Sequence, residues 1–600
     1  MANKPTRGRN LSLHQAVAVL QRSDSETESD VDESLDEEDD ASVGQDSNLE
    51  NSESQSEDLS LEESDSEPQL RRRRTNNLPP AEFLTSKNGQ IKWSLNATPV
   101  AQTAAANVLT QSEGLTALGK TCTNMAHGFG FFMSRDMVTL IMRETNRQAN
   151  ACVSEWNNVH PNADHQRVWI DTDEVELCAF MGLLIHAGSQ KSSKENLDDL
   201  WSAKYGRPIY RATMSLTRFK ELMRFCRFDN HVTREARKAT DKLAPIRDLW
   251  EMFQASLPRA YKPGSDVTVD EQLVVSRGRF SFRQYIPSKP GKYGIKIFWA
   301  CDSRTSYPLK GEVYVGRQPG AAANANNVSD FVKRLVRPWQ NTGRNITMDN
   351  YFTSYNLATD LLLVRTTVVG TMRKNRPEIP KELLPARGRA EMSSIFCFSG
   401  PVTLASYVPK KNKAVVVLST MHHDAQIDIN IESKPEIILH YNNTKSGVDN
   451  LDHLVGLYSC KRKTRRWPMT LFFNIIDCAC VAAYVTWTAK NPEWKQNNTH
   501  KRRLFLRGLS EELVEDHIQR RLQNPQAMQA QVKFALKALG FQLPVPAATD
   551  HPAGGQKRCG LCPRSSDRKV KSRCTTCGIA CCPEHSRLVC VNCADAHDDD

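Results

Sequence analysis

Four aspartates in this 600-residue chain occur in short strand-like or helical patterns, and their carboxylates can bind metal ions. Asp270 lies within VTVDEQLVV, which alternates like a half-buried strand, and Asp349 ends the short segment NITMD. Asp449 and Asp452 fall on the first turns of the helical pattern GVDNLDHLVGLYS. Carboxylates from separate elements of one core can meet at one edge and hold two divalent ions about 3.5 to 4 Å apart. Such a site suits Mg²⁺, or Mn²⁺, and in-line phosphoryl transfer.

The same acids also have simpler interpretations. A single aspartate is usually a surface or turn residue, and Asp449 has the spacing of the third residue of a capping box begun by Ser446. Asp302 and Asp477 are comparable acids to which the pattern assigns no role. Spacing alone therefore leaves both the metal site and the structural interpretation open.

A second group of potential metal ligands lies close together in sequence, between residues 559 and 597. Eight of the 17 cysteines lie beyond residue 558, in repeated C-x2-C form, which favours metal over disulfides. Two Zn²⁺ ions would satisfy the ligands Cys559, Cys562, Cys574, Cys577, Cys582, His585, Cys590 and Cys593. Interleaved pairs, the first with the third and the second with the fourth, would form a cross-brace. Two sequential sites, or Cys581 and His597 as substitute ligands, remain alternatives.

The elements that would position the aspartates follow one another in a definite order. After helical patterns such as DEVELCAFMGLLIHAG and RFKELMRFCRF, three strand-like segments begin at residue 266. A helix (VSDFVKRLVRPW), a strand (NITMD), a helix (SYNLATDLLLVR) and a strand (TTVVGTM) come next. The predicted order is β-β-β-α-β-α-β.

A small β-rich unit interrupts this series. Beyond residue 374, the segments IFCFSG, VTLASYV and AVVVLST are strand-like, and helical patterns resume with Asp449 and Asp452. If the helix that carries these acids packs on the earlier sheet, the β-rich unit is an insertion. The apolar segment 471–487 contains Asn474 and Asp477, which favours a buried helix over a membrane span. The N-terminal sequence MANKPTRGRN lacks the apolar stretch of a signal peptide.

Charge is separated strongly along the chain. The net charge is +10, but residues 23–67 hold 20 acidic side chains and no Lys or Arg. The remaining chain carries 79 basic against 49 acidic side chains, a net charge of +30, which favours nucleic acid as a partner. The acidic segment lacks aromatic residues and is predicted to be disordered. Arg71–Arg74 has the composition of a nuclear import signal, or of a plain solvated tail.

Six motifs together resemble the piggyBac family of DNA transposases. They are VDEQLVVSRGRF, RQYIPSKPGKYGIK, NITMDNYFTSYNLA, VGTMRKNRPEIP, YNNTKSGVDNLDHL and CKRKTRRWPM. The resemblance implies that Asp270, Asp349 and Asp449 form a catalytic triad that binds metal, with Asp452 as an additional acid needed for full activity. It also implies an RNase H-like core interrupted by an insertion domain. The family's terminal cysteine-rich domain recognises terminal repeat DNA.

Basic residues around these motifs are predicted to contact DNA. A loop after the first strand combines charge with an aromatic ring that can stack on a displaced base, although a solvated hairpin is the simpler alternative. The resemblance places a motif for target capture after the last core strand and a tryptophan near target DNA at the end of a basic run. The predicted contacts are Arg277, Arg279, Tyr285, Lys289, Lys292, Arg373, Lys374, Arg376, Lys461, Arg462, Lys463, Arg465, Arg466 and Trp467.

The sequence thus predicts a multidomain α+β chain with an RNase H-like core, a β-rich insertion, a flanking helical region for dimerisation and DNA binding, and a cross-brace zinc domain. The predicted segments are a disordered acidic region (1–115), the helical region (116–265 and 460–541), the core (266–373 and 441–459), the insertion (374–440), a linker (542–557) and the zinc domain (558–597).

The function that the resemblance implies is nuclear cut-and-paste transposition by a homodimer on double-stranded DNA, with no membrane partner. The implied steps are excision at the terminal repeats through hairpin intermediates and integration at TTAA sites. A domesticated transposase derivative that binds DNA without cleaving it is the alternative. The zinc scaffold by itself would also suit a chromatin reader or a ubiquitin ligase.

Overall fold

The structure is a computed structural model that describes residues 82–97, 108–316, 327–386, 388–543, 556–574 and 579–586. It divides into two compact units, Met1–Arg521 and Leu522–Asp600. The acidic segment 23–67, Arg71–Arg74, Cys577, Cys590, Cys593 and His597 lie outside the described residues.

The strands are numbered in chain order. They are β1 (Phe83–Thr85), β2 (Lys92–Ser94), β3 (Gly114–Leu115), β4 (Tyr261–Lys262), β5 (Asp266–Val275), β6 (Gln284–Tyr285), β7 (Tyr293–Asp302), β8 (Pro308–Val313), β9 (Asn345–Met348), β10 (Thr367–Thr371), β11 (Ser394–Ser399), β12 (Val402–Tyr407), β13 (Val415–Ser419), β14 (Ile427–Asp428), β15 (Lys434–Pro435), β16 (Lys557–Arg558) and β17 (Lys569–Val570).

The α-helices are numbered in the same way. They are α1 (Ala117–Lys120), α2 (Met125–Gly130), α3 (Arg135–Val159), α4 (Glu174–Ser189), α5 (Leu197–Trp201), α6 (Pro208–Thr213), α7 (Leu216–Phe225), α8 (Arg234–Lys238), α9 (Arg247–Ala260), α10 (Val328–Val336), α11 (Tyr355–Leu363), α12 (Glu436–Thr444), α13 (Gly447–Leu457), α14 (Trp467–Lys490), α15 (Lys501–Leu522) and α16 (Ala530–Ala538).

One large mixed sheet organises the first unit. Its strand order is β1-β2-β11-β12-β13-β10-β9-β5-β7-β6, with β8 also paired to β7. Within it, β7 is antiparallel to β5 and β8, whereas β9 is parallel to both β5 and β10. The order β8-β7-β5-β9-β10 is the arrangement that an RNase H-like core requires, and the predicted series β-β-β-α-β-α-β is confirmed.

The burial of the central strands follows from their sequences. β7 is buried along its whole length after Tyr293, because strands flank it on both sides and helices cover its faces. α9 and α10 pack on β8, while α13 and α14 pack on β5. The core thereby contains β5, β9 and α13, the elements that carry or adjoin the four aspartates.

The predicted β-rich insertion shares the core sheet. β13 pairs with β10, with Val369 opposite Ser419, so β11–β13 extend the sheet beyond the core strands. α13 follows this unit in sequence and returns to pack on β5, which satisfies the condition for an insertion. The unit is therefore inserted in sequence but continuous with the core through backbone pairing.

The prediction of disorder over residues 1–115 is wrong for residues 82–97 and 108–115. β1 and β2 form a hairpin, and Ser94 of β2 pairs with Phe398 of β11. The sequence contained a signal for this hairpin, because the dipeptide Asn88-Gly89 is typical of a tight turn between two strands. In the structure Gly89 has a φ of 72°, which glycine adopts readily. β3 also pairs with β4, so residues 114–115 belong to a strand as well.

α14 is the central helix of the first unit. It is the one helix in the described part of the chain that is long and apolar enough to cross a membrane, yet 94% of its most apolar window is buried inside the protein. It contacts α2, α4, α9, α13 and β5. The segment predicted to form a buried helix therefore lies in the protein core.

The second unit is described by α16 and by a small region near residues 556–586. β16 and β17 form a two-stranded antiparallel ladder, with Lys557 opposite Val570. Short 3₁₀ turns lie at Arg564–Ser566 and Pro583–His585. This small region depends on few apolar side chains, which is typical of domains stabilised by metal.

Candidate active site

Asp270 and Asp349 lie side by side because β5 and β9 are parallel neighbours. The register places Val269 opposite Met348, and the next residue along each chain is the acid. Asp349 is the first residue beyond β9, where its Oδ1 atom accepts a hydrogen bond from the Tyr351 N–H at 2.9 Å. The sheet register therefore brings together two acids that are far apart in sequence.

Asp449 and Asp452 approach these acids from the start of α13. Gly447 lies against β5 so closely that a Cβ atom there would be 2.5 Å from the Oγ1 of Thr268. Because the two aspartates are three residues apart, they share one face of the helix. The negative charge of Asp449 helps to raise the pKa of Asp270.

A capping box does not account for Asp449. Ser446 is the N-cap residue of α13, but its side chain makes no capping hydrogen bond. The carboxylate of Asp449 is largely exposed and lies 3.6 Å from the Nζ of Lys289. The structure thus favours a role for Asp449 at the acid cluster over a role in helix capping.

The aspartates at this site are disfavoured as anions, first by burial and then by the negative charges of neighbouring acids. Burial raises the pKa of Asp270 well above its ordinary value, and the charges of Glu271, Asp349 and Asp449 raise it further. Burial and Glu271 raise the pKa of Asp349 to about 6, although backbone N–H groups oppose the shift. A cation at this position would relieve the repulsion.

Asp452 is oriented by a buried glutamine that sequence reasoning missed. Gln272 is 1% exposed, and its Nε2 donates to the Oδ1 of Asp452 at 3.1 Å. Its Oε1 accepts from the Nε1 of Trp299 at 3.0 Å and from the Nδ2 of Asn474 at 3.2 Å. Burial raises the pKa of Asp452, and the Gln272 hydrogen bond opposes that shift. The sequence did contain a signal for this role, because Gln272 is a polar residue only two positions after Asp270.

Lys289 was predicted to contact DNA, and the structure places it among the acids. Its Nζ donates to the carbonyl of Glu271 at 3.3 Å and lies beside Asp449. Burial lowers the pKa of Lys289, but Asp449, Asp270 and Glu271 together raise it more, so the net shift is upward. The ammonium group partly neutralises the acid cluster.

Lys296 and Glu271 form a second charged pair that the sequence analysis did not identify. The Lys296 Nζ lies 3.9 Å from the Oε2 of Glu271, 4.9 Å from the ring centroid of Phe298 and 4.6 Å from that of Tyr351. Burial lowers the pKa of Lys296 despite the nearby acids. A lysine inside the apolar segment GIKIFWACD was the signal for it.

The donor set fits divalent metal ions. The aspartates offer hard oxygen ligands, and their mutual repulsion is of the kind that bound Mg²⁺ relieves. The carboxylate oxygens of these aspartates do not all lie within 4.8 Å of one another. Among the described residues, the only group whose ligand atoms meet that criterion consists of Cys559, Cys562, Cys582 and His585. Two ions about 3.5 to 4 Å apart would divide the ligands between them, so this separation is compatible with a two-metal site.

Asp302 and Asp477 have structural roles away from the cluster. The Oδ1 of Asp302 accepts from the Gly264 N–H at 2.7 Å, and the Oδ1 of Asp477 accepts from the Cys460 N–H at 2.9 Å. Each carboxylate thus connects a loop to a regular element through a hydrogen bond. Burial raises the pKa of Asp477 to about 6.

Four predicted zinc ligands converge in the second unit. The ligand atoms of Cys559, Cys562, Cys582 and His585 all lie within 4.8 Å of one another. Cys562 Sγ is 3.7 Å from Cys582 Sγ and 3.4 Å from the His585 Nδ1. Tetrahedral coordination with Zn–S bonds of about 2.3 Å would separate two sulfurs by about 3.8 Å, so the group fits zinc.

The pairing of these ligands bears on the cross-brace prediction. The first and third predicted pairs come together, as interleaving requires. Desolvation raises the pKa of Cys582, but the His585 N–H and neighbouring groups lower it to about 7. Cys574 is described, but its predicted partners for the second ion lie outside the described residues.

Comparisons with known proteins agree with this architecture. The model of a family described as Transposase IS4 matches residues 126–484. A piggyBac transposase, solved by cryo-EM in a synaptic complex with hairpin DNA, aligns with a TM-score of 0.69 and 32% identity over 80% of this chain and 100% of its own.

The chain belongs to the piggyBac family of transposases. Two human relatives are more distant. PiggyBac transposable element-derived protein 3 of Homo sapiens is 24% identical over 260 residues, which cover 39% of this chain and 43% of that protein. The chimeric ERCC6-PGBD3 protein of Homo sapiens is also 24% identical over 260 residues, which cover 24% of its length. This piggyBac-family chain therefore matches less than half the length of these curated relatives.

The predicted DNA-contact loop after β5 is largely exposed in this piggyBac-family chain. Arg277, Arg279 and Lys292 are exposed, and Tyr285 is 53% exposed with its ring 4.8 Å from that of Tyr293. This placement leaves three cations and an aromatic ring available at one surface loop. Their contacts with DNA stay a prediction.

Residues 461–466, here the basic run, directly precede α14 and lie against that loop. The Lys461 Nζ donates to the Val275 carbonyl, and a Cβ atom at Gly278 would lie 2.1 Å from the Arg465 carbonyl oxygen. Lys463 and Arg465 have exposed side chains. The loop and the run therefore form a continuous basic surface.

Trp467 joins the same two segments through its ring. The ring centroid lies 5.0 Å from that of Phe282 and 6.0 Å from that of Phe280. Both phenylalanines belong to the loop after β5. The tryptophan predicted to lie near target DNA thus also stabilises the loop that carries Arg277 and Arg279.

Arg462 and Arg466 bind main-chain carbonyl groups of the helical region. Arg462 donates to the carbonyls of Ser192 at 2.9 Å and Glu195 at 2.6 Å. Arg466 donates to the carbonyl of Arg224 at 3.0 Å, in the last turn of α7. These bonds give both arginines a structural role, while their contacts with DNA stay a prediction.

The remaining predicted contacts lie in the loop after β10. The Arg373 Nε donates to the Asn350 Oδ1 at 3.4 Å, and the Arg376 Nη2 donates to the Thr353 carbonyl at 3.3 Å. Lys374 is exposed. The loop therefore contacts the segment that directly follows Asp349.

Proposed function

We propose that this chain is a metal-dependent cut-and-paste DNA transposase. Asp270, Asp349 and Asp449 are the proposed ligands of two Mg²⁺ ions, or Mn²⁺, and Asp452 is an additional acid at the site. The observation that carries the proposal is the convergence of acids from β5, β9 and α13, which lie far apart in sequence, in a chain of a transposase family.

Two ions bound by these carboxylates would stabilise the attacking and leaving oxygens of a phosphodiester. The protein's own contribution is to fix its ligands. The Tyr351 N–H orients Asp349, and Gln272 orients Asp452 from a buried position. Lys289 lowers the net negative charge beside Asp449. The surface formed by the loop after β5 and the basic run offers cations for the DNA backbone.

The finer steps are proposed from the family resemblance. Excision would proceed through hairpin intermediates, and integration would occur at TTAA sites in the nucleus, with a homodimer acting on double-stranded DNA. The zinc-binding region of the second unit would recognise the terminal repeats. Support comes from the solved relative, which is a synaptic complex with hairpin DNA.

Replacing one acid tests the proposal. Asp349→Ala should reduce strand cleavage of terminal-repeat DNA to background, because a carboxylate of the metal site is lost. Binding of the same DNA in a gel-shift titration should stay within about twofold of wild type, because the residue lies outside the proposed end-binding unit. Retained cleavage would refute the assignment. Asp164→Ala, at an exposed aspartate of the helical region, is the control.

A domesticated DNA-binding protein is the second candidate, because one human relative is named as derived from a piggyBac transposable element. This candidate predicts DNA binding by the wild-type chain without cleavage in Mg²⁺ or Mn²⁺. A plasmid excision assay separates the two, since only an active transposase restores the donor sequence.

A further inference from the structure

The hairpin formed by residues 82–97, here the N-terminal hairpin, packs on residues 373–380, here the basic loop. Lys87, at the hairpin turn, donates through its Nζ to the carbonyl of Lys374 and to that of Arg376 at 3.5 Å. The Asn88 N–H donates to the Pro377 carbonyl at 3.2 Å. The turn therefore holds the main chain of the basic loop at three points.

A buried tryptophan secures the same contact. Trp93 is 0% exposed, and its Nε1 donates to the Glu378 carbonyl at 3.0 Å. Its ring meets that of Tyr355 edge-to-face at 5.8 Å. Because β2 also pairs with β11, the hairpin is anchored to the core sheet while it holds the loop.

The hairpin's hydrogen bonds reach main-chain atoms of the loop. These hydrogen bonds do not involve the cationic side chains of the basic loop. Lys374 is exposed, while Arg373 and Arg376 contact Asn350 and Thr353. The basic loop is therefore held on one side by the N-terminal hairpin and on the other by the segment after Asp349. A loop fixed in this way loses less conformational entropy when it binds a ligand.

We infer that the N-terminal hairpin is a positioning element for target DNA. Lys87 and Trp93 fix the main chain of the basic loop so that its cations meet the phosphates of the target duplex at a set distance from Asp349. This inference rests on the proposed function, and it assigns a role to a segment for which the sequence predicted disorder. Lys87 is a positioning residue, because it acts on DNA through the loop.

Lys87→Met tests the inference in the full-length protein. The variant removes the donor to two carbonyls and keeps an unbranched side chain. In a strand-transfer assay with precut transposon ends, we expect the target duplex concentration for half-maximal joining to rise at least about tenfold, because the charged donor that holds the loop at two carbonyls is lost. The joining rate at saturating target and the excision rate should each change by less than about twofold.

Two variants control for charge and fold. Lys92→Met removes the same charge from the same hairpin at an exposed position, on the face of β2 opposite to that of Trp93, so joining should keep its wild-type dependence on target concentration. Lys87→Arg retains donors for both carbonyls and should restore most of the affinity. An equal loss in Lys87→Met and Lys92→Met would overturn the inference in favour of a general charge effect.

A measurement independent of cleavage keeps the inference testable if the chain proves to be inactive. Amide hydrogen exchange over residues 373–380 should accelerate at least about fivefold in Lys87→Met and stay unchanged in Lys92→Met. Anisotropy titration with a labelled TTAA duplex should show the same weakening as the joining assay. Unchanged exchange and affinity would overturn the inference. Absence of cleavage by wild type with both effects present would refute the proposed enzyme activity alone.

Discussion

Asp349 illustrates how a single residue of the proposed site opposes the stability of the fold. Its carboxylate is partly buried at the end of β9, next to Glu271, and its pKa is raised to about 6. In the unfolded chain the same group has the ordinary pKa of 3.8. The folded state therefore binds a proton more tightly than the unfolded state, so ionisation of Asp349 destabilises the protein.

The amide variant Asp349→Asn should stabilise the first unit in the absence of Mg²⁺. At about pH 3 the carboxyl is largely protonated in both the folded and the unfolded state, so the variant should gain little. The stabilisation should grow as the pH rises from about 4 to about 6, be intermediate at about pH 5, and level off at about 1 to 3 kcal/mol by about pH 7.5, because only the wild type must then bury a charge. Urea unfolding at these three pH values measures the effect.

The comparison for this variant is an exposed acid. Asp164→Asn should change the unfolding free energy by less than about 0.5 kcal/mol at each pH. A constant gain for Asp349→Asn at all three pH values would contradict the electrostatic explanation. Addition of Mg²⁺ should reverse the order of stability, because only the wild type offers the full ligand set.

At the level of elements, the approach of α13 to β5 depends on a glycine. Gly447 leaves no room for a side chain against Thr268, whereas a Cβ atom added at Gly456 of the same helix would meet no atom within 4 Å. The close approach of the first turn of α13 to Thr268 of β5 therefore requires a residue without a Cβ atom.

Gly447→Ala should push the start of α13 away from β5. We expect a loss of about 1 to 3 kcal/mol in stability from overpacking, and a fall in cleavage rate of about tenfold to a hundredfold from the displaced acids. Gly456→Ala should instead keep full activity and gain up to about 1 kcal/mol through helix propensity. Single-turnover cleavage and thermal unfolding measure both. Equal effects of the two substitutions would contradict the packing argument.

Local periodicity was sufficient to predict the core strands and the positions of the aspartates along them, whereas the choice of these acids as a metal site came from the family resemblance. VTVDEQLVV and NITMD alternate or run apolar over the lengths of β5 and β9, so their residues could be placed without tertiary information. The pairing of β10 with β13, the docking of the N-terminal hairpin and the position of Lys289 depend on contacts between segments far apart in the chain. Such contacts leave no periodic signal in a single sequence.

At the scale of the whole molecule, the proposed catalytic site and the proposed zinc site lie in different compact units. The first unit contains the acid cluster and its neighbouring basic surface, and the second contains the cysteine and histidine group. The first unit has a large apolar core around α14. The region around Cys559 has few buried apolar side chains, so its folding should depend on bound metal.

Cys562→Ser should therefore unfold the zinc region and leave the first unit intact. We expect bound zinc, measured by elemental analysis, to fall by at least one equivalent per chain, because one thiolate of a four-ligand site is lost. The main calorimetric transition should be unchanged, while binding of terminal-repeat DNA should weaken at least about tenfold. Cys152→Ser, on α3, should preserve the zinc content and the DNA affinity. Unaltered zinc content in Cys562→Ser would exclude this residue as a ligand, and lost zinc with full DNA affinity would separate the metal site from end recognition.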